Sequence, residues 1–380
     1  MGNKTIGIVT IHKIHNFGSV LQTYALWRVL QENGYSVEII DYKFPNQYHL
    51  SGSHDAAEEK KTYPKVTFLE KIMKVAYAYP LLVQHRLTDS FLQRMNVTLS
   101  DVTYMDREHL LASPPEYDIY ISGSDQIWNP RYTNGDDIFL LSFAPASSKK
   151  ISYASSFGVN NLPQNICLEF AQYFNRYDKI SVRESSGVNL LKQFFSKDSV
   201  CVLDPTLLLN APQWKNALQI KEPLDKKPYI FCYFLNYSFD AFPYAEEFAL
   251  HIKKKTGLRL VFGGRPPKRT INKEIEYQVG IGPEDFVSLI ANAKLVITTS
   301  FHGTAFAVNM GRPVYSIVNT LTGDDRQAAF LRECGLNSRI VELNSPMPEN
   351  DYFNSGGENT HRLLEAKRKE SIEFLLSSIK

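Results

Sequence analysis

Short β-branched apolar runs alternate along this chain with longer segments in which apolar residues recur every three or four positions. Near the amino terminus, residues 5–11 predict a strand, residues 20–30 a helix and residues 36–42 a second strand. Asn33 and Gly34 are typical of a helix end. The order predicts a βαβ unit with a right-handed crossover, and its repetition predicts an α/β protein.

The alternating pattern is interrupted at residues 222–228, which are rich in proline and charged residues. We place the boundary between two domains there, since 380 residues are ample for two cores. We expect a Rossmann-like domain over residues 1–221 and a second one over residues 228–350, facing each other across a cleft. A helix at about residues 360–380 is expected to cross back onto the first domain.

Two segments bear on where the protein works. Residues 45–64 are polar and predict an exposed loop, and residues 67–95 predict a helix broken near Pro80. Aromatic and basic residues mix in that helix, and residues 265–269 predict a basic turn. Both segments are compatible with contact to a membrane surface. The alternatives are core packing for the helix and simple solvation for the turn. With no signal-peptide pattern and no apolar run of spanning length, we expect a cytoplasmic protein, with peripheral membrane contact as the alternative.

Charge and cysteine content argue against several classes of protein. Lys and Arg total 42 against 40 acidic residues, a net charge of +2, which argues against a nucleic-acid-binding protein. The four cysteines are scattered without a CxxC pair, so neither a zinc site nor a disulfide framework is indicated. We expect no metal.

Polar residues follow a buried strand late in the chain. Residues 295–297 predict the strand, and Ser300, His302, Gly303 and Thr304 follow where a helix begins. The carboxyl end of a parallel strand and the amino end of a helix together favour an anion. A titratable imidazole there suits a phosphate-containing substrate. The alternative is that His302 is a hydrogen-bonded structural residue, as a single histidine at a strand end often is.

The first strand is followed by a polar loop, residues 12–19, that lacks the GxGxxG pattern of a dinucleotide site. Asn16, Gly18 and Ser19 stand at the start of the next helix and are candidate ligand contacts. Capping of that helix by Asn16 or Ser19 explains the same residues without a ligand.

A further strand end, within residues 117–130, carries polar and aromatic residues. Gly123 allows close approach of a ligand to the backbone. The neighbouring side chains suit the hydroxyls of a sugar, or else form an ordinary loop with an aromatic anchor. These side chains are Asp125, Gln126, Trp128 and Asn129.

Arg183 ends the strand predicted at residues 179–183. Its planar guanidinium suits a carboxylate or a phosphate, which it binds through two parallel hydrogen bonds. An ion pair with Glu184 is the alternative. Asp204 and Thr206 follow on a turn set by a proline.

Six motifs in this order carry a resemblance. They are residues 16–26 (NFGSVLQTYAL), 121–129 (ISGSDQIWN), 152–158 (SYASSFG), 181–184 (SVRE), 203–206 (LDPT) and 300–306 (SFHGTAF). Together they resemble the bacterial polysaccharide pyruvyl transferase family, over roughly residues 6–313. The ordered set is far more specific than any single motif.

The resemblance implies a fold like that of the two-domain GT-B glycosyltransferases. It also implies transfer of pyruvate from phosphoenolpyruvate onto two hydroxyls of a sugar as a cyclic ketal, in the synthesis of exopolysaccharide, capsule or cell-wall glycan. In the family, residues matching Arg183 and His302 are linked to donor binding and catalysis. Members tend to carry Arg-Leu-His where this chain has Ser300-Phe-His, so Arg312 or Arg326 is expected to replace the missing arginine.

On this hypothesis, His302 is the general acid or base and Arg183 binds the donor. Ser300, Gly303 and Thr304 are expected to contact its phosphate. Phosphoenolpyruvate is a co-substrate, no other cofactor is implied, and the acceptor is a sugar or a lipid-linked oligosaccharide. The acceptor side is expected to comprise Asn16, Gly18, Asp125, Gln126, Trp128 and Asn129.

Two other functions fit the pattern. One is a GT-B glycosyltransferase that uses a nucleotide sugar, recognisable by nucleotide diphosphate binding. The other is a non-catalytic carbohydrate-binding protein, an alternative that is compatible with the departure from the family pattern at Ser300.

Overall fold

The computed structural model describes residues 4–43, 75–221, 227–236, 238–264 and 271–380. The predicted loop at 45–64, the basic turn at 265–269 and the start of the helix predicted at 67–95 lie outside the described residues, as do residues 222–226 of the predicted boundary. Within the described residues the protein is an α/β structure with parallel sheets, as predicted.

The amino-terminal half contains a parallel sheet of four strands. They are β1 (Thr5–Val9), β2 (Ser36–Ile39), β3 (Ile119–Ser122) and β4 (Lys149–Ser152), in the order β2-β1-β3-β4. A short parallel pair follows, β5 (Ser181–Val182) and β6 (Val200–Cys201), and a bridge between Ile151 and Lys179 places it beside β4. The strand order reverses between β1 and β3, where open α/β sheets bind ligands at the carboxyl edge.

The carboxyl-terminal half contains a six-stranded parallel sheet. Its strands are β7 (Tyr229–Tyr233), β8 (Arg259–Gly263), β9 (Ile275–Gln278), β10 (Leu295–Thr298), β11 (Val314–Val318) and β12 (Ile340–Glu342). Their order is β12-β11-β10-β7-β8-β9, so the direction of winding reverses between β7 and β10. The central strands are buried on both faces, which explains their continuous apolar sequences.

Helices pack on both sheets. In the first half they are α1 (Phe17–Glu32), α2 (Ala78–Asp89), α3 (Phe91–Arg94), α4 (Arg107–Ala112), α5 (Pro130–Thr133), α6 (Gln164–Phe174), α7 (Ser185–Phe195) and α8 (Ala211–Ala217). In the second half they are α9 (Tyr244–Thr256), α10 (Pro283–Asn292), α11 (Phe301–Asn309), α12 (Arg326–Glu333) and α13 (Gly357–Ser378). Single 3₁₀ turns occupy Asp137–Leu140, Pro205–Leu207, Thr320–Thr322 and Asn337–Arg339.

Several predicted boundaries shift because of capping. Asn16 accepts a hydrogen bond from the Gly18 amide, so α1 begins three residues earlier than predicted. Ser300 caps α11 in the same way. A helix break lies near Pro80, as predicted: residues 75–76 are helical, Tyr77 is a turn and α2 begins at Ala78. Pro80 lies in the first turn of α2, where its missing amide has no helical partner to lose. A second break falls at Ser90.

The two halves share a hydrophobic core. Phe17 of α1 lies 5.4 Å from Phe286 and 5.9 Å from Tyr233, ring centre to ring centre, across the boundary. The carboxyl-terminal helix α13 contacts the first half, where the Leu203 amide donates to Ser371 Oγ at 3.0 Å. Arg368 Nε of the same helix donates to the Leu207 carbonyl at 2.6 Å. This packing brings the carboxyl edges of the two sheets together.

Candidate active site

Arg183 lies directly after β5 with its side chain 1% exposed. Nη1 donates to Asp204 Oδ2 at 2.8 Å, and the guanidinium carbon lies 4.5 Å from the centre of the Phe301 ring. Nε and Nη2 are buried without a hydrogen-bond partner. Buried donors left unpaired are costly and rare, so these two N–H groups are available to a bound anion.

Asp204 is the buried anion that holds Arg183 and His302 together. Its Oδ1 accepts hydrogen bonds from the amide and hydroxyl of Thr206, and its Oδ2 accepts one from Ser124. Burial by itself would raise the pKa of Asp204, but His302, Arg183 and the Thr206 hydroxyl outweigh it and hold that pKa well below its usual range. From sequence Asp204 is only a turn residue, because its partners lie far away along the chain.

His302 is the second residue of α11 and is 6% exposed. Its Nε2 lies 3.6 Å from Asp204 Oδ2, an ion-pair distance rather than a hydrogen bond, and has no hydrogen-bond partner. On the opposite side, the ring packs on Gly18, where a Cβ would overlap the imidazole. The first loop and the late motif therefore meet around His302, at the reversal points of both sheets.

Arg326, at the start of α12, provides a second guanidinium. It forms a two-point ion pair with Asp324, with Nε to Oδ1 at 2.7 Å and Nη2 to Oδ2 at 2.5 Å. Its guanidinium carbon lies 5.9 Å from the Phe301 ring centre, so Phe301 contacts both arginines. With its amide oxygen turned towards Arg326, Gln126 accepts from Nη2 at 3.2 Å.

Arg312, the other expected substitute for the missing arginine, is placed away from this cluster. It follows the carboxyl end of α11, where its amide donates to the Ala307 carbonyl, and its charge acts on Tyr229, the first residue of β7. That is the amino edge of the sheet, opposite the edge where His302 lies. The prediction that Arg312 replaces the missing arginine is wrong, because the length of α11 separates Arg312 from His302.

Glu184 follows Arg183 and is also buried. Its Oε1 accepts from Ser156 Oγ and the Phe157 amide, both at 2.9 Å, and from the Gly158 amide at 3.3 Å. Its Oε2 has no hydrogen-bond partner and lies 4.0 Å from Arg183 Nε. Burial raises the pKa of Glu184, although Arg183 and Arg326 oppose that effect. From sequence Glu184 is only an ion-pair partner for Arg183.

The polar residues around His302 have structural partners of their own. Ser300 Oγ accepts from the Gly303 amide at 3.2 Å, and Thr304 Oγ1 contacts the Ser300 carbonyl and Ser316 Oγ. A Cβ at Gly303 would lie 2.5 Å from Thr298 Oγ1, so this glycine permits close helix–strand packing. These groups build the start of α11. The Gly303 amide and the Thr304 hydroxyl already have hydrogen-bond partners within the protein, which does not support the expectation that they contact phosphate directly.

The expected acceptor surface divides in two. Asp125 and Gln126 reach the site: Asp125 Oδ2 accepts from Ser19 at 2.5 Å, and Oδ1 lies 3.7 Å from Arg183 Nη2. Asn129 caps α5, and its side-chain nitrogen lies 2.8 Å from the side-chain amide of Gln126. Asn16 caps α1, and Gly18 packs on His302.

Trp128 is wrongly predicted as an acceptor contact. Its side chain is fully buried, its indole donates to the Phe139 carbonyl at 3.0 Å, and its ring packs at 4.9 Å on Phe174. The amphipathic indole fits a hydrophobic core as well as a sugar face, and the sequence alone does not separate these roles.

The ordered motifs that build this site match a known family. The family model of polysaccharide pyruvyl transferases covers residues 16–320. The chain belongs to the polysaccharide pyruvyl transferase family. That range includes Arg183, Glu184, Asp204 and His302 of the site. Asp324 and Arg326 follow shortly after its end. No curated protein matches the chain.

Solved structures show the same fold at low identity. A proposed UDP-N-acetylglucosamine 2-epimerase from Listeria monocytogenes has a TM-score of 0.54 at 12% identity, over 98% of this chain and 90% of that one. The UDP-GlcNAc 2-epimerase of Methanocaldococcus jannaschii has a TM-score of 0.51 at 12% identity, covering 95% and 98%. Arabidopsis thaliana UGT89C1, complexed with UDP-L-rhamnose, has a TM-score of 0.51 at 11% identity, covering 100% of both chains. This member of the family therefore has a GT-B-like fold. Across the described ranges, every helix is too short or too polar to cross a lipid bilayer.

Proposed function

We propose that this protein is a ketal-pyruvyltransferase, which moves the pyruvyl group of phosphoenolpyruvate onto two hydroxyls of a sugar. The observation that carries the proposal is the pair of unpartnered buried donors on Arg183, beside the unpartnered Nε2 of His302. Phosphoenolpyruvate presents a carboxylate and a phosphate, which are the planar and tetrahedral anions that guanidinium groups bind best.

Two guanidiniums suit the two anions of this donor. Arg183 and Arg326 both lie against Phe301, which keeps them on one apolar surface without neutralising either charge. Arg326 stands in for the arginine that family members tend to carry before the histidine. We assign one anionic group of the donor to Arg183 Nε and Nη2 and the other to Arg326.

His302 is suited to accept the proton of the attacking sugar hydroxyl. Its Nε2 is the unpartnered ring nitrogen, and the nearby Asp204 carboxylate stabilises the imidazolium that forms. The acceptor itself is proposed to enter past Gln126 and Asn129, where Arg131, Asn160 and Thr322 line an adjoining pocket with groups that hydrogen-bond sugar hydroxyls.

The decisive experiment measures phosphate release from phosphoenolpyruvate, with and without methyl galactosides and methyl mannosides as acceptors, followed by mass spectrometry of the sugars. We expect acceptor-dependent phosphate release and a sugar carrying one pyruvyl ketal. Release of nucleotide diphosphate from a panel of nucleotide sugars, with no response to phosphoenolpyruvate, would support glycosyl transfer instead. Sugar binding without turnover of any donor would support a binding protein.

A further inference from the structure

Pyruvyl transfer requires a proton at C3 of phosphoenolpyruvate, and the proposed function leaves its source unassigned. The methylene carbon must become a methyl group, which makes C2 electrophilic. His302 serves the acceptor hydroxyl, so a second acid is needed close to the donor. We propose that Glu184 is this acid, delivering the proton from Oε2; the inference rests on the proposed function.

Geometry singles out Oε2. The opposite oxygen, Oε1, is held by three donors, from Ser156, Phe157 and Gly158, which fix the carboxyl group in place. Oε2 is left without a partner, in a side chain 1% exposed, 4.0 Å from the guanidinium that holds the donor. The residue lines a pocket together with Arg183, Phe301 and Arg326. A buried carboxyl oxygen without a partner is costly unless it carries a proton or meets a ligand.

The surroundings also decide its protonation. Facing Glu184 are the guanidiniums of Arg183 and of Arg326 on α12, and the Cys201 thiol on β6 lies within range of its charge. Burial outweighs the two cations and raises the pKa of the Glu184 carboxyl. A carboxylic acid that keeps its proton at higher pH than usual is suited to act as a general acid.

The proposed step balances as follows. The Oε2–H bond of Glu184 breaks and a C3–H bond forms, while the first sugar hydroxyl bonds to C2 and gives its proton to His302. Phosphate then leaves C2 with its bonding electron pair, and the second hydroxyl closes the ketal. One hydroxyl proton restores the acid form of Glu184, and the other departs on the phosphate. No oxidant or metal is required.

Glu184→Gln tests this assignment, since the amide oxygen still accepts the three hydrogen bonds that Oε1 receives but the side chain cannot deliver a proton. We expect phosphoenolpyruvate binding within about twofold of wild type and kcat lowered by about 100-fold or more, the usual range for loss of a general acid. The fall in wild-type kcat with rising pH, due to deprotonation of Glu184, should disappear in the variant. Glu370→Gln is the matched control, because Glu370 lines the same pocket but is exposed.

The outcomes separate the two claims. If the wild-type protein releases phosphate with an acceptor while Glu184→Gln keeps its rate and the same alkaline limb, the acid assignment is overturned and the proposed function stands. If Glu184→Gln loses phosphoenolpyruvate binding together with activity, Glu184 is a positioning residue and the assignment is also overturned. If wild-type protein shows no reaction with any acceptor of the panel, the proposed function fails, and the assignment fails with it.

Discussion

Gly18 packs directly against the imidazole of His302, so that a Cβ at position 18 would overlap the ring. The two residues belong to opposite halves of the protein, Gly18 to the first turn of α1 and His302 to the first turn of α11. The position of the proposed base therefore depends on the contact between the halves.

Gly18→Ala should displace the His302 ring and lower turnover. A misplacement of about 1 Å at a reacting group costs about 100-fold in rate, and we expect a loss of that order with a cooperative thermal transition retained. Steady-state kinetics of the single and double variants measure it. Adding Gly18→Ala to His302→Ala should have no further effect, because the overlapping ring is gone. Additive losses would contradict this explanation.

Asp204→Asn should destabilise the protein at neutral pH. The change removes the charge paired with buried Arg183, and loss of one partner from a buried ion pair costs about 3–5 kcal/mol. Because the pKa of Asp204 is lowered in the folded state, its contribution is fully present above the unfolded pKa of about 4 and is lost as pH falls through the folded value.

Urea unfolding of wild type and Asp204→Asn between about pH 3 and pH 7 checks the sign of this effect. The difference in unfolding free energy should be constant at neutral pH and shrink below about pH 4. A difference that stays constant down to the lowest pH, or is absent at pH 7, would show that the Asp204 charge does not stabilise the fold.

Phe301→Leu should weaken donor binding. The ring lies against both Arg183 and Arg326, and a cation–π contact contributes about 0.5–2 kcal/mol, so the Kd for phosphoenolpyruvate should rise by roughly 2- to 30-fold. Titration calorimetry measures the affinity. Phe306→Leu is the matched control on the same helix, since its ring packs on Trp214 instead. Equal effects of the two variants would assign Phe301 to core packing alone.

Arg326→Gln should lower phosphoenolpyruvate affinity by about 10- to 100-fold, the worth of a hydrogen bond to a charged group. Arg312→Gln is the matched control, because it also removes one arginine charge but lies beyond the carboxyl end of α11, away from the site. Its affinity for phosphoenolpyruvate should equal that of wild type. Competition by inorganic phosphate distinguishes which anion Arg326 binds. A stronger effect of Arg312→Gln would reverse the placement of the second anionic contact.

Local patterns in the sequence are enough to predict much of the fold. The strand predicted at residues 295–297 from its β-branched residues matches β10 to within one residue. The start of α1 is displaced towards Asn16, because a side-chain cap adds a turn that apolar periodicity does not show. The break predicted near Pro80 falls at Tyr77, because a proline fits the first turn of the helix that follows the break.

The site is harder to predict, because its contacts join distant parts of the chain. Arg183, His302 and Arg326 follow from residue chemistry and the family motifs, and the structure brings them together around Phe301. The roles of Asp204 and Glu184 depend on burial and on partners outside their own segments. Trp128 shows the converse, since an aromatic residue in a polar motif proved to be part of the core.

Titration of phosphoenolpyruvate into wild-type protein and Arg183→Lys tests the central claim most directly. Lysine keeps a positive charge beside Asp204 but lacks the two unpartnered donors of the guanidinium, Nε and Nη2. We predict that wild type binds phosphoenolpyruvate and that Arg183→Lys binds it at least about tenfold more weakly, with little change in thermal stability. Equal affinity of the two proteins, or no binding to wild type, would contradict the assignment of Arg183 as the donor-binding residue.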